Sequence, residues 1–539
     1  MIRRSFIVIF LGCLCGLEAV WSASVWANSL NLEIGIVQRL GAKSIDEKDE
    51  IIDELIIRST AEDQLTINFL DRQQIIKTKQ AVVKVESQSL AKPEISEQLV
   101  LSSHATFETA EADAQFWQTL GIKVEILQPG RWQVWADRKV YPTPLVRRLL
   151  LKSLQVNGYQ TPYLKTEVLS QVPQITVLID GKKYHHNQVE ITTEKNLVQV
   201  SKTNPKSSST YLYGGNLRIQ PNAYGNFTLV NQVPLETYLR GVVPYEIGTN
   251  APVQAIAAQT ILARTYALRN LRRFAADNYQ LCATVHCQVY KGLTGVTPQT
   301  DNAIAKTKGL VLTYQNELVD ALYSSTNGGV TASFSDIWNG SQRPYLKSVI
   351  DSPTTVWDLA RYSLADEAVF RKFMSLKQGF NETGRGIFRW RKESKLEDLN
   401  RDLRKYLHKN NHPFANFKTI KSMAITERSQ SGRILTLTVQ TDQGIVELHK
   451  NEARSAFEPP RSTLFYLEPI YNQSQQLQGY AFVGGGFGHG VGLSQYGSYN
   501  LAQLGWSAEQ ILAFYFPGTT IEPLNNSIIF WRPPTLQKQ

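Results

Sequence analysis

Histidine and cysteine are scarce in this chain, with 8 and 4 among 539 residues. No His/Glu cluster has the spacing of a catalytic zinc centre, so a metal-dependent hydrolase is not expected. Long apolar runs are missing beyond the first segment, so no transmembrane span is expected past it. No internal repeat and no nucleic-acid-binding motif occurs. Charged residues make up only 19% while hydrophobic ones reach 42%, which excludes a disordered chain. At ordinary domain sizes this length gives two to four domains with ample core.

What is present begins at the N-terminus. Arg3 and Arg4 precede an apolar run from Phe6 to Leu17, and Val25-Trp26-Ala27 makes a small-residue cleavage site. This layout predicts a secretory signal peptide over 1–27 and an exported protein of the periplasm or cell envelope. Glu18 interrupts the run, and an uncleaved signal anchor is the alternative. Removing the segment takes away Arg3, Arg4 and Glu18, which lowers the net charge from +10 to +9. A basic exported chain suits an anionic envelope polymer, and export places nucleic acid out of reach. Cys13 and Cys15 leave with the segment, so Cys282 and Cys287 remain and could pair in an oxidising compartment.

The fold class expected is α+β, in several modules. Residues 32–95 alternate apolar and polar in short runs and predict a small β-rich module. Ala91–Pro93 reads as a linker. Residues 96–171 give the order β-α-β-β-α-β, with helices over Thr109–Leu120 and Pro144–Leu154. Residues 172–525 form the main block, with strands to Val233, a helical region from Pro234 to Phe274, and a polar insertion near 352–418.

Three segments of the main block concentrate unusual residues. The first is Val233-Pro-Leu-Glu-Thr-Tyr-Leu-Arg-Gly-Val-Val-Pro-Tyr-Glu246-Ile. Pro234 suits a helix start, and Gly241 and Pro244 are expected to break the helix near Glu246. The helix that follows carries Gln259 and Arg264 among apolar residues, and buried polar groups need partners. The second segment is Tyr323-Ser324-Ser325-Thr-Asn327-Gly-Gly, where the glycines permit a tight turn. The third is Gly484-Gly-Gly-Phe-Gly-His489-Gly-Val-Gly-Leu-Ser494-Gln495-Tyr-Gly, whose backbone could approach a ligand closely. A Ser–His hydrolase is not expected there, because no nucleophile elbow surrounds Ser494 and no Asp lies in the segment.

These three segments, in this order, resemble the SpoIID/LytB family over roughly residues 210–520. The resemblance implies a SpoIID-type domain with helices and sheets around a cleft. It also implies one of two activities: a peptidoglycan lytic transglycosylase, or an enhancer of a cell-wall amidase. By its place in Gly-Val-Val-Pro-Tyr-Glu, Glu246 takes the position of the catalytic acid/base. Pro244-Tyr245 stands where many relatives carry small residues. Gln259, Arg264, Tyr323, Ser324, Ser325, Asn327, His489, Ser494 and Gln495 are then expected to line the cleft and bind sugar. Some relatives hold zinc at the place of Cys282, His286 and Cys287. Three ligands are in reach and a fourth is not evident, so structural zinc and a Cys282–Cys287 disulfide stand as alternatives. No cofactor is required by the chemistry. The order of elements over 96–171 is similar to that of a SPOR domain, which binds glycan strands. The partners expected are peptidoglycan glycan strands and a cell-wall amidase.

Overall fold

The computed structural model describes residues 30–42, 52, 54–203, 208–410 and 412–532. The signal-peptide segment and most of the charged stretch after Ala42 lie outside the described residues. Helices and several separate sheets coexist, as the α+β expectation requires.

Strands up to Pro234 assemble into two large sheets whose membership ignores sequence order. The first sheet runs Leu281–Cys282, Asn31–Leu40, Phe227–Pro234, Asn216–Pro221, Val189–Thr192, Leu65–Phe69, Gln74–Thr78. Asn31 opposes Pro234 and Ile34 opposes Asn231, so the first strand is locked to the strand that leads into the Glu246 helix. Its burial pattern puts Leu32, Ile34 and Ile36 in the core, as period-two alternation demands.

The second sheet is organised by one 25-residue strand, Gln80–His104. It pairs with Glu54–Ser59 at its start, with Tyr163–Ile179 along most of its length, and with Trp132–Ala136 at its end. Val124–Leu127 completes that end. Thus the element order β-α-β-β-α-β of residues 96–171 is present as an antiparallel split β-α-β arrangement. The second helix starts at the expected Pro144, and the first starts at Phe107, two residues before the expected Thr109. Thr106 caps Phe107–Thr119, and Thr143 caps Pro144–Val156 with proline in the first turn.

The module boundaries at 95/96 and 171/172 do not coincide with breaks in these sheets. Two long strands run straight across both, and Ala91–Pro93 is a register shift within a strand instead of a linker. Strand alternation specifies a face but not a partner, so the 32–95 segment looked self-contained and is not. The stretch near 352–418 is likewise knit in. Its strand Arg389–Lys395 pairs with Leu477–Gly485, and its helix Leu396–Lys409 buries Leu399, Leu403 and Leu407 in a core shared with Phe465 and Phe482. This lobe has its own two small cores, separate from the main one.

The helix carrying Glu246 spans Leu235–Glu246, and Val253–Arg269 follows it. Pro244 does not break the first helix but lies inside its last turn, where Glu246 ends it. Gly241 serves close packing: a Cβ there would lie 2.5 Å from the Tyr290 ring and 2.6 Å from the Gly292 carbonyl.

Candidate active site

Glu246 sits at the mouth of that helix end, with part of its surface open to solvent. Its Oε1 accepts the backbone N–H of Val289 at 2.6 Å. The Tyr323 hydroxyl and the Gln495 amide reach the same carboxyl, and Gln495 Nε2 also donates to the Glu246 carbonyl at 2.9 Å. Burial dominates, and it pushes the carboxyl up to about 7 against the opposing pull of those three donors. No second carboxylate is among the groups acting on it.

Behind the carboxyl lies a chain of polar groups. Tyr238 donates to Gln288 Oε1 at 3.2 Å, and Gln288 Nε2 donates to the Tyr323 hydroxyl at 3.1 Å. Gln288 is fully buried, so its amide holds one fixed orientation between two tyrosines. Gln288 and Val289 directly follow Cys287, which is bonded to Cys282. Of the two alternatives for this segment, the structure takes the disulfide, and both sulfurs are then unavailable as zinc ligands. Among the described residues no group of three His, Cys, Asp or Glu side chains is placed to hold a metal.

The second and third segments meet at the cleft, but they bind mainly each other. Thr326 bridges to Phe487, and Tyr323–Ser324 pairs with Leu493–Ser494 as a short parallel sheet. The glycines are explained by that crossing. A Cβ on Gly490 would lie 2.3 Å from Arg433 Nη2, and one on Gly492 would lie 2.2 Å from the Leu322 carbonyl. Both residues have positive φ, where side chains are strained in any case. The close approach is therefore of backbone to backbone and to Arg433, not to a ligand.

Several expected sugar-binding residues are accordingly inside the protein. Arg264 is fully buried and forks onto Glu236, with both bonds at 2.8 Å, while a third bond goes to the Leu310 carbonyl. Gln259 is fully buried, and neither of its amide atoms has a hydrogen-bond partner among the described residues. Ser324 donates to Asn327 Oδ1 at 3.0 Å and accepts the Gly490 N–H. Asn327 also donates to the Gly492 carbonyl at 3.1 Å. Ser494 donates to Glu382 at 2.6 Å and caps the helix Gln495–Gln503 through the Gly497 N–H. Four of the five are hydrogen-bonded inside the protein, as buried polar groups usually are, and Gln259 is the exception.

His489 is a tautomer lock. Its Nδ1 accepts the Val491 N–H at 3.0 Å, and a hydrogen bond to the Tyr323 carbonyl uses the other nitrogen. Burial, followed by the charges of Arg454 and Arg433, depresses it to about 3, so it is neutral and titrates nowhere near physiological pH. It orients the Tyr323 strand. Tyr323, Gln495 and Ser325 stay at the cleft. Ser325 is half-buried, its carbonyl accepts the Tyr496 N–H at 3.1 Å, and its hydroxyl has no partner among the described residues.

Glu382 is a functional candidate that sequence reasoning missed. Its carboxylate accepts the N–H groups of Asn327, Gly328 and Gly329 in succession, besides the Ser494 hydroxyl. It lies in the stretch read as an insertion, where one Glu among many charges carries no signal. Nearby, Arg385 lies over the rings of Tyr496 at 4.5 Å and Tyr499 at 5.8 Å, which makes an aromatic wall close to Gln495.

Glu246 is thus a partly buried carboxyl, raised to about 7, beside the second and third segments of the sequence. Residues 223–314 match the family described as Stage II sporulation protein, and residues 332–492 match a Domain of unknown function (DUF8618), which coincides with much of the lobe. The chain is 28% identical over 406 residues to an amidase enhancer of Bacillus subtilis, covering 67% of this chain and 53% of that protein. It thus spans about half the length of that relative. It is 24% identical over 371 residues to an uncharacterized protein of Brachyspira hyodysenteriae, covering 67% and 86% of the two chains. It is 26% identical over 309 residues to Stage II sporulation protein D of Bacillus amyloliquefaciens, covering 54% and 75%. Over these residues the chain is similar to members of the SpoIID/LytB family.

Proposed function

We propose that this protein is a lytic transglycosylase that cleaves peptidoglycan glycan strands, with Glu246 as its single acid and base. The observation that carries this reading is the carboxyl raised to about 7 and held by the Val289 N–H, Tyr323 and Gln495. Ordinary glycosidases set two carboxyls across the scissile bond. A transglycosylase needs one, because no water is activated.

The steps balance on that one group. Protonated Glu246 gives its proton to the glycosidic oxygen as the bond to C1 of muramic acid breaks. The resulting carboxylate is stabilised by the Val289 N–H and the Tyr323 and Gln495 donors, which favour the charged form. The C6 hydroxyl of the same sugar then bonds to C1 and returns its proton to Glu246. The product carries a 1,6-anhydro ring, and the enzyme is regenerated.

On this reading the chain is exported through its N-terminal segment, acts in the periplasm or cell envelope, and requires no cofactor. The split β-α-β block is read as a glycan-contacting module. Leu145 and Leu149 are 67% and 58% exposed on its second helix, and replacing both with Glu should weaken cosedimentation with sacculi. Unchanged sedimentation would remove that role.

The test of the reaction is incubation of the protein with sacculi and with peptide-stripped strands, beside Glu246→Gln, followed by mass spectrometry. Anhydro-ended fragments from the unmodified protein alone are expected. The relative named amidase enhancer supports a second reading, a peptidoglycan-binding activator without turnover. It predicts no fragments alone but faster hydrolysis by an added cell-wall amidase.

A further inference from the structure

A cavity of about 710 Å³ is lined in part by Lys392, Lys395, Arg454, Glu458, Arg461 and Phe487. Its charge is unbalanced. Arg401 on its wall is paired with Asp398 and Asp402, and Glu393 is paired with Arg391. Lys392, Lys395, Arg454 and Arg461 have no carboxylate partner among the described residues, and Glu458 alone opposes them.

Arg454 is the informative member. It is half-buried, its guanidinium makes no hydrogen bond or ion pair among the described residues, and burial depresses that group. Burying an unpaired guanidinium is costly, and proteins ordinarily answer such a charge with a carboxylate or a phosphate. Arg461 lies over the Phe487 ring at 5.7 Å, and its carbonyl holds the Gly488 N–H at 3.1 Å. Phe487 is 41% exposed, so an aromatic face stands beside the cations at the rim. An aromatic face with a guanidinium at its edge suits a sugar bearing a carboxylate, since sugar C–H groups pack on the ring while the acid meets the charge.

The cavity is linked to the candidate active site through few groups. The charge of Arg454 acts on His489, His489 bonds to the Tyr323 carbonyl, and the Tyr323 hydroxyl reaches Glu246. Phe487 on the cavity wall and Gln495, which bonds to Glu246, belong to the same glycine-rich segment.

We propose that this cavity is a carboxylate-binding subsite for the glycan polymer, with Arg454 as its central cation and Phe487 as its sugar platform. The inference rests on the cell-wall reading of Glu246. Two sources share the chemistry: the lactyl carboxylate of a peptide-free muramic acid, and the carboxylates of stem peptides.

The experiment measures binding of the full chain carrying Glu246→Gln, so that strands are not consumed. Its probes are peptide-stripped strands, the same strands with carboxylates converted to methylamides, and intact sacculi. Amidation, Arg454→Gln and Arg461→Gln should each raise the dissociation constant roughly tenfold, the loss of about one charge-assisted contact. Tight binding of stripped strands names the lactyl carboxylate, and preference for intact sacculi names the stem peptides. Equal binding of native and amidated strands, together with no preference for intact sacculi, overturns the subsite whatever the variants do, so a misfolded variant does not spare it. Normal glycan binding by Arg454→Gln with lost stimulation of an added amidase overturns it in favour of an acidic protein partner. Failure of the Glu246→Gln chain to bind any strand would instead sink the cell-wall reading itself.

Discussion

The N–H of Val289 meets Oε1 of Glu246 at 2.6 Å, and Val289 stands two residues beyond a disulfide-bonded cysteine. The acid is therefore held by the first free residues after a covalent clamp. Replacing Cys282 and Cys287 with Ser should cost about 2 kcal/mol of stability, as expected for so short a loop. It should also reduce turnover, because Gln288 and Val289 lose their fixed approach. Denaturant titration and product release, each with and without reductant, check the two effects.

Glu246→Gln should abolish anhydro-product formation while the protein stays folded. Its stability effect has a definite sign. The folded carboxyl is raised to about 7 from an ordinary 4.5, so the native state holds the proton more tightly. That contribution is fully present below about 4.5 and is lost as pH rises through 7. The Gln variant should therefore gain on the unmodified protein at pH 8, by on the order of 2 kcal/mol, and not at pH 4. Thermal melts at both pH values decide it.

As a general acid, Glu246 must be protonated in the free enzyme, so kcat/KM should fall as pH rises through about 7. The Tyr323 hydroxyl lowers this carboxyl. Tyr323→Phe should move the alkaline limb to higher pH while it lowers kcat. An unmoved limb would mean that the hydroxyl does not act on Glu246.

Glu382→Ala should destabilise the protein by about 3 to 5 kcal/mol, because three backbone N–H groups and the Ser494 hydroxyl lose a buried acceptor. Urea unfolding measures it. A loss of activity without a loss of stability would place Glu382 in the chemistry instead.

The second helix of the split β-α-β block was legible because Pro144 marks its start, whereas the first begins at Phe107 and not at the expected Thr109. The place of Glu246 at a helix end was legible in its motif string, although the string misled about Pro244. The sheets were less so, because nothing in Asn31–Leu40 says that its partner begins at Phe227. Polar residues in the glycine-rich crossing read as ligand groups, and most proved to serve the backbone. Ser494 and Asn327 show why. A residue type tells what a group can bond to, and only the fold tells whether water, sugar or another strand is there. Glu382 was invisible for the same reason.

The pairing of Asn31–Leu40 with Phe227–Pro234 has a consequence for how the chain comes into being. At ribosomal rates of 5–20 residues per second, roughly 10 to 40 s separate the synthesis of the two strands. Throughout that interval Leu32, Ile34 and Ile36 have no edge to join, and the strand presents a sticky apolar face. Asn31–Leu40 thus waits for partners made nearly two hundred residues later. Such a chain gains from staying unfolded until it is complete, which is the condition a secretory channel imposes on its cargo.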